Sequence, residues 1–164
     1  KRPIGQRVSI NDEECASHPP ILGGDTDDGS STVGSMTDVR NIPLGAMAQQ
    51  LGIELIEATA DRVVGTMPVE GNTQPAGLLN GGASLALAET LGSVAATLHA
   101  GPGRYAVGLD INGSHHRAAT SGVVTGVATP LSAGRTIASY EIVVSDDQGR
   151  RLCTARLTCL LRDA

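Results

Sequence analysis

The sequence predicts an α+β domain in which one long central helix is wrapped by a curved antiparallel β-sheet. Three observations carry that expectation. Residues 81–99 form one long segment that is apolar nearly all round, so as a helix it needs cover on every side. Two strand-like runs precede it and four follow. The last four are separated only by tight turns, which makes them mostly antiparallel neighbours. A single curled sheet supplies most of the cover, and a partner subunit can supply the rest.

Residues 1–38 are rich in Gly, Ser, Asp and Pro, with Gly23-Gly24-Asp25-Thr26-Asp27-Asp28-Gly29-Ser30-Ser31 at their centre. Such a stretch buries little and is expected to be a flexible or extended tail, leaving 39–164 as the domain. Residues 42–51 read as a short helix with Leu44, Met47, Ala48 and Leu51 on one face, closed by Gly52. Strands over 53–60 and 62–70 hinge at Asp61, and 71–80, with Gly71, Asn72 and Pro75, form a loop. Asn80 is the expected N-cap of the long helix. Gly101-Pro102-Gly103 stops that helix and is not a phosphate loop. The remaining strands are expected over 104–116, 119–130, 134–146 and 150–162, with turn residues at 118–121 and 145–149.

Composition narrows the function. The 164 residues fit one domain, 40% of them hydrophobic, but there are two Tyr and no Phe or Trp. The core must therefore be built from Leu, Ile, Val and Ala. The net charge of −5, with seven acids against four bases in residues 1–40, disfavours a nucleic-acid or anionic-membrane surface. Cys15, Cys153 and Cys159 fit a reducing compartment, and no apolar run follows Lys1-Arg2, so a cytoplasmic location is expected. Cys153 and Cys159, about 20 Å apart along one strand, cannot bridge, and all three are read as structural or incidental thiols. The segment 81–100 is apolar enough to suggest a membrane, but a mid-span carboxylate costs about 2.5–3.5 kcal/mol, which favours a buried soluble helix. His115 and His116 point to opposite faces of a strand, so no metal site is expected, and His18 and His99 are isolated.

The chemistry centres on Glu89. It is the single acid between Glu70 and Asp110, in a stretch with no Lys or Arg between Arg62 and Arg104. A solvent-facing stripe would carry further charges every three or four positions. Here Leu85, Ala86, Gly92, Ser93, Ala96 and Thr97 occupy them. A lone carboxylate on an apolar helix is costly unless it is used or paired. Ser93 lies one turn further along the same face. The first-turn N–H groups after Asn80 form a place for developing negative charge; taken alone, Asn80 reads as a cap and Ser93 as a small packing residue.

The run Thr73-Gln74-Pro75-Ala76-Gly77-Leu78-Leu79-Asn80-Gly81-Gly82-Ala83-Ser84-Leu85-Ala86-Leu87-Ala88-Glu89-Thr90-Leu91-Gly92-Ser93 resembles the signature of hotdog-fold acyl-CoA thioesterases of the phenylacetate-pathway (PaaI-like) type. Within that family it is most similar to the branch holding the enterobactin-pathway proofreading thioesterase and the 1,4-dihydroxy-2-naphthoyl-CoA thioesterase. Asn112-Gly113-Ser114-His115-His116-Arg117 and Pro130-Leu131-Ser132-Ala133-Gly134-Arg135 extend the match, which runs over about residues 42–162. The resemblance implies a hotdog fold and hydrolysis of an acyl-CoA or acyl-carrier-protein thioester without a cofactor. It implies Glu89 as nucleophile or general base, the Gly81 N–H as oxyanion donor, Gln74 as a second contact near the carbonyl, and Ser93 as a water-positioning group. It further implies His115 at the acyl end of the pocket, with His116, Arg117, Gly134 and Arg135 bordering the arm of the thiol carrier. Where this branch usually has His, position 80 is Asn, which donates a hydrogen bond but carries no proton near neutrality.

Gly81 and Glu89 lie about 12 Å apart along one helix. A reacting carbonyl must sit near 3 Å from both attacking group and oxyanion donor. One helix cannot do this, whereas two antiparallel copies can. The expectation is an isologous homodimer, in this branch commonly assembled into a tetramer. A non-catalytic acyl-binding protein and a hotdog hydratase or dehydratase remain as alternatives.

Overall fold

The computed structural model describes residues 38–164. The expected tail, with Cys15 and His18, falls outside the described residues apart from Asp38. A 3-10 turn at Val39–Asn41 leads to a short helix, α1 (Gly45–Gln50). Strands β1 (Glu54–Ala58) and β2 (Val63–Pro68) follow, then the long helix α2 (Gly81–Ala100). Four strands complete the domain: β3 (Arg104–His115), β4 (Val123–Ala133), β5 (Ile137–Ser145) and β6 (Arg151–Asp163).

All six strands join one antiparallel sheet in the order β1-β2-β4-β5-β6-β3. The tight separators predict mostly antiparallel neighbours among the last four strands; β4, β5 and β6 follow chain order, but β3 does not lie beside β4. Instead it pairs with β6 at the far edge, and the chain crosses the end of the sheet to reach β4. That crossing is pinned by the N–H groups of His116 and Arg117, which donate to Leu152 O at 2.7 and 3.3 Å, and by Leu79 N–H donating to Ala119 O at 2.8 Å. Three strand spacings are about 14 Å, within reach of the seven intervening residues, which extend to about 23 Å.

The core lies between α2 and the inner face of this sheet. Leu87, Leu91 and Ala95 of α2 are fully buried against Met67, Val124, Tyr140, Ile142 and Leu157. Without Phe or Trp to fill space, helix and sheet approach closely. A methyl group added at Gly65 or Gly126 would fall 2.7 or 2.6 Å from the two methyls of Leu91, so both strands leave those positions bare. Tyr140 is one of the chain's two aromatic residues. Burial pushes its hydroxyl up to about 12, and it donates to Ala60 O at 3.4 Å. The face of α2 that carries Leu85, Glu89, Ser93 and Thr97 is only half-buried, with Leu85 and Glu89 against the edge strand β3. No described helix is long and apolar enough to cross a membrane.

Candidate active site

Asn80 opens α2 as the sequence predicts. Its backbone is extended (φ −67°, ψ 131°), and its Oδ1 accepts the Gly82 N–H at 2.8 Å. The carbonyl of Asn80 accepts the Ser84 N–H at 3.2 Å. The Gly81 N–H has no protein acceptor among the described residues. The preceding loop is held by Asn72, a buried residue read from the sequence only as loop material. Its Nδ2 donates to Leu51 O at 2.8 Å and Pro68 O at 2.9 Å, and its carbonyl accepts the Asn80 N–H at 2.9 Å. Nothing distinguishes this Asn in a Gly-Asn-Thr loop sequence until its burial is known.

Gln74 lies on the same loop in a turn closed by Gln74 N–H to Leu78 O at 2.8 Å and Gly77 N–H to Gln74 O at 2.9 Å. Together with Gly81, Ser84, His115, His116 and Arg117 it lines an open cleft of about 410 Å³. His115 and His116 diverge as strand alternation requires. A methyl group on Gly81 would lie 2.8 Å from His115 Nε2, so that ring rests on the first turn of α2. The His116 ring turns instead to Thr154, with Nε2 and Oγ1 3.0 Å apart. One end of the molecule therefore gathers six of the residues named from sequence: Gln74, Asn80, Gly81, His115, His116 and Arg117.

Glu89 lies two turns further along α2, half-buried, and none of the described ion pairs involves it. Burial pushes its carboxyl group above the ordinary carboxylate value, and a hydrogen bond from Ser93 partly opposes the shift. Its Oε1 faces Gly108 of β3, where an added methyl would come within 2.6 Å. Across the ladder Gly108 pairs with Cys159, whose fully buried thiol is raised to about 11, chiefly by burial and further by the Glu89 charge, although a bond with Ser93 lowers it. Burial likewise raises the buried Cys153 thiol. Both thiols are held away from the thiolate form, which agrees with a structural role. Gly108 was not singled out in the sequence and Cys159 was read only as a structural or incidental thiol, because the bare residue opposite Glu89 is evident only once β3 is in register.

Gly134 and Arg135 lie at the other end of α2, in the β4–β5 turn. Gly134 O is 3.1 Å from His99 Nε2, and Arg135 O accepts from Arg104 at 2.9 Å. His99, read from sequence as isolated, thus ties the end of α2 to this turn. Within a single chain these residues do not meet the cleft at Gly81. No group of three or more potential metal ligands occurs among the described residues.

A half-buried carboxylate with a raised pKa and an open helix N-terminus lie on one central helix wrapped by a six-stranded antiparallel sheet, the architecture of the hotdog class. Comparisons with known proteins agree. Residues 76–153 match the family model of the thioesterase superfamily. The proofreading thioesterase EntH of Cronobacter turicensis is 51% identical over 116 residues, covering 70% of this chain and 85% of the relative. A putative esterase of Vibrio cholerae is 47% identical over 117 residues, covering 71% and 78%. Among solved structures, a thioesterase of Haemophilus influenzae superposes with a TM-score of 0.70 at 41% identity, covering 72% of this chain and 83% of that one. The chain belongs to the thioesterase superfamily and is a hotdog-fold thioester hydrolase.

Proposed function

We propose that two copies of the chain pair about a two-fold axis to make two equivalent sites, each joining Glu89 of one protomer to the Gly81 N–H of the other. The substrate is an acyl-CoA or acyl-carrier-protein thioester. The Gly81 N–H and the Gln74 amide hold the developing oxyanion, where one such donor contributes about 2.7–4 kcal/mol. Glu89 attacks the carbonyl or removes a proton from water, with Ser93 orienting the carboxylate. By attack, the thiol leaves as a glutamyl anhydride forms, and water then hydrolyses that anhydride to the free acid; by base catalysis, the activated water adds to the carbonyl and the tetrahedral species expels the thiol, which takes the proton held by Glu89.

The observation that carries this reading is the position of the Glu89 carboxylate. It lies against β3, one of the two edge strands of the sheet, instead of on a charged solvent-facing stripe. That edge exposes Val107 and Leu109, at 41% and 57%, which suits pairing with a second copy. Antiparallel pairing of α2 also returns the partner's β4–β5 turn toward the cleft. Gly134 and Arg135 could then border the arm of the thiol carrier together with His116 and Arg117. A raised carboxyl pKa suits a base that works near neutral pH.

The test is turnover on a panel of acyl-CoA and acyl-carrier-protein thioesters by the native chain and by Glu89→Gln, which keeps shape and removes charge. The expected result is hydrolysis by the native chain and a loss of roughly 10²–10⁴-fold in kcat for the variant. Undiminished hydrolysis by Glu89→Gln contradicts the mechanism, and binding or hydration without hydrolysis contradicts the function.

A further inference from the structure

The ladder between β3 and β6 contains one irregularity, and it falls opposite Glu89. On one side of it Ile111, Gly113 and His115 pair with Leu157, Ala155 and Cys153. On the other side Gly108 and Ala106 pair with Cys159 and Leu161. All five of these β6 residues are buried, so all five β3 residues belong to the inner face of the sheet. Leu109 has no partner in β6, because the register shifts between Gly108 and Asp110. The inner-face positions are therefore odd-numbered after this β-bulge and even-numbered before it.

The consequence is specific. In an unbroken strand the alternation of His115, Gly113 and Ile111 would bring Leu109 to the inner face. An isobutyl group would then occupy the space of the Glu89 carboxylate. The bulge turns Leu109 outward and puts Gly108 there instead, where even a methyl carbon would lie 2.6 Å from Oε1. Bulges that re-aim a side chain are frequent beside active sites. Other close approaches along this strand are filled by apolar or aromatic groups: Leu85 rests on Gly113, and His115 on Gly81.

We propose that Gly108 is a positioning residue for Glu89, its bare Cα forming the seat that fixes where the carboxylate sits. The proposal rests on the reading of Glu89 as the catalytic carboxylate, and the bulge at Leu109 is what makes the seat. The atom facing Gly108 is the far end of a flexible side chain, so a methyl group there displaces the carboxylate while sparing the fold.

The experiment introduces Gly108→Ala into the native, Glu89→Asp and Glu89→Gln chains. Melting temperature, oligomeric state, kcat, KM and the titration of residue 89 by carboxyl-carbon NMR are measured. In the native background Gly108→Ala is expected to melt like the parent, to lose roughly 10²-fold in kcat at nearly constant KM, and to lower the Glu89 pKa as the group moves toward solvent. In the Glu89→Asp background, where the shortened side chain clears the methyl, the further loss is expected to shrink to within about twofold, and in Glu89→Gln to vanish. An unchanged kcat and titration in Gly108→Ala overturns the proposal, as does an equal loss in all three backgrounds, which would assign the effect to the strand itself. Should Gly108→Ala not fold, Gly108→Ala/Glu89→Asp is expected to fold; failure of both also overturns it. Full hydrolysis by Glu89→Gln would remove the catalytic reading, while a lowered Glu89 pKa in Gly108→Ala would still establish the seat.

Discussion

If Glu89 is the catalytic carboxylate proposed above, Ser93 and Glu89 together set the pH dependence of the site. Burial raises the Glu89 carboxyl pKa, and the Ser93 hydroxyl partly restrains it by bonding to the charged form. In the proposed reaction the charged form acts, so activity is expected to rise with pH through the raised pKa. Removing the hydroxyl removes the restraint and moves the pKa further up. Ser93→Ala is therefore expected to shift the acid limb of the kcat/KM profile to higher pH, losing more activity below the limb than above it. A pH–rate profile of the two proteins checks this, and a limb that moves down or stays in place contradicts it. At this scale the sequence was informative where chemistry is unusual for its surroundings. A single acid within an apolar helix stands out, as does Asn followed by two glycines. Asn72, Gly108 and Cys159 do not stand out, because a buried Asn in a loop, a Gly in a strand and a Cys among apolar residues are all ordinary. Their meaning comes from what the fold sets beside them.

At the scale of elements, α2 and the sheet depend on contacts with almost no spare volume. Leu91 lies with its two methyls over Gly65 and Gly126, and neither strand has a side chain there that could relax into a void. Leu91→Ala should therefore fall toward the upper part of the range of about 2–5 kcal/mol for such truncations. Denaturant unfolding measures it, and a loss under about 1 kcal/mol would show that helix and sheet can close the gap. The elements themselves were legible: a helix from Asn80 to the Gly-Pro-Gly stop, and six strands each present near its expected position. Their arrangement was less so. The segment between His115 and Val123 reads like a hairpin turn by its Ala, Thr, Ser and Gly residues. Tertiary bonds at Leu152 and Leu79 instead lead it across the sheet. Short local turn chemistry does not record which edge of the sheet the preceding strand occupies after a twenty-residue helix. The short helix also starts three residues later than its apolar pattern suggests, at Gly45, because a 3-10 turn and Pro43 precede it.

For the whole molecule, the proposed pairing leaves neither protomer with a complete site. Glu89 and Gly81 project from one rigid helix too far apart to meet around one carbonyl, while the edge strand beside Glu89 is open to a second copy. This predicts complementation between two differently damaged chains. Glu89→Gln removes the carboxylate and keeps the oxyanion donor. Gly81→Pro removes the donor N–H at the first helical position, where proline is tolerated and where the extended backbone of Asn80 suits a following proline. The same substitution presses on His115, which belongs to the same half of the site. The decisive measurement is acyl-thioester hydrolysis by purified mixed dimers carrying one chain of each kind. Both parent homodimers are expected to be nearly inactive, and the mixed dimer to recover about half the native rate, from one intact site of two. Mixed dimers of verified composition that remain as inactive as their parents would contradict the proposed pairing.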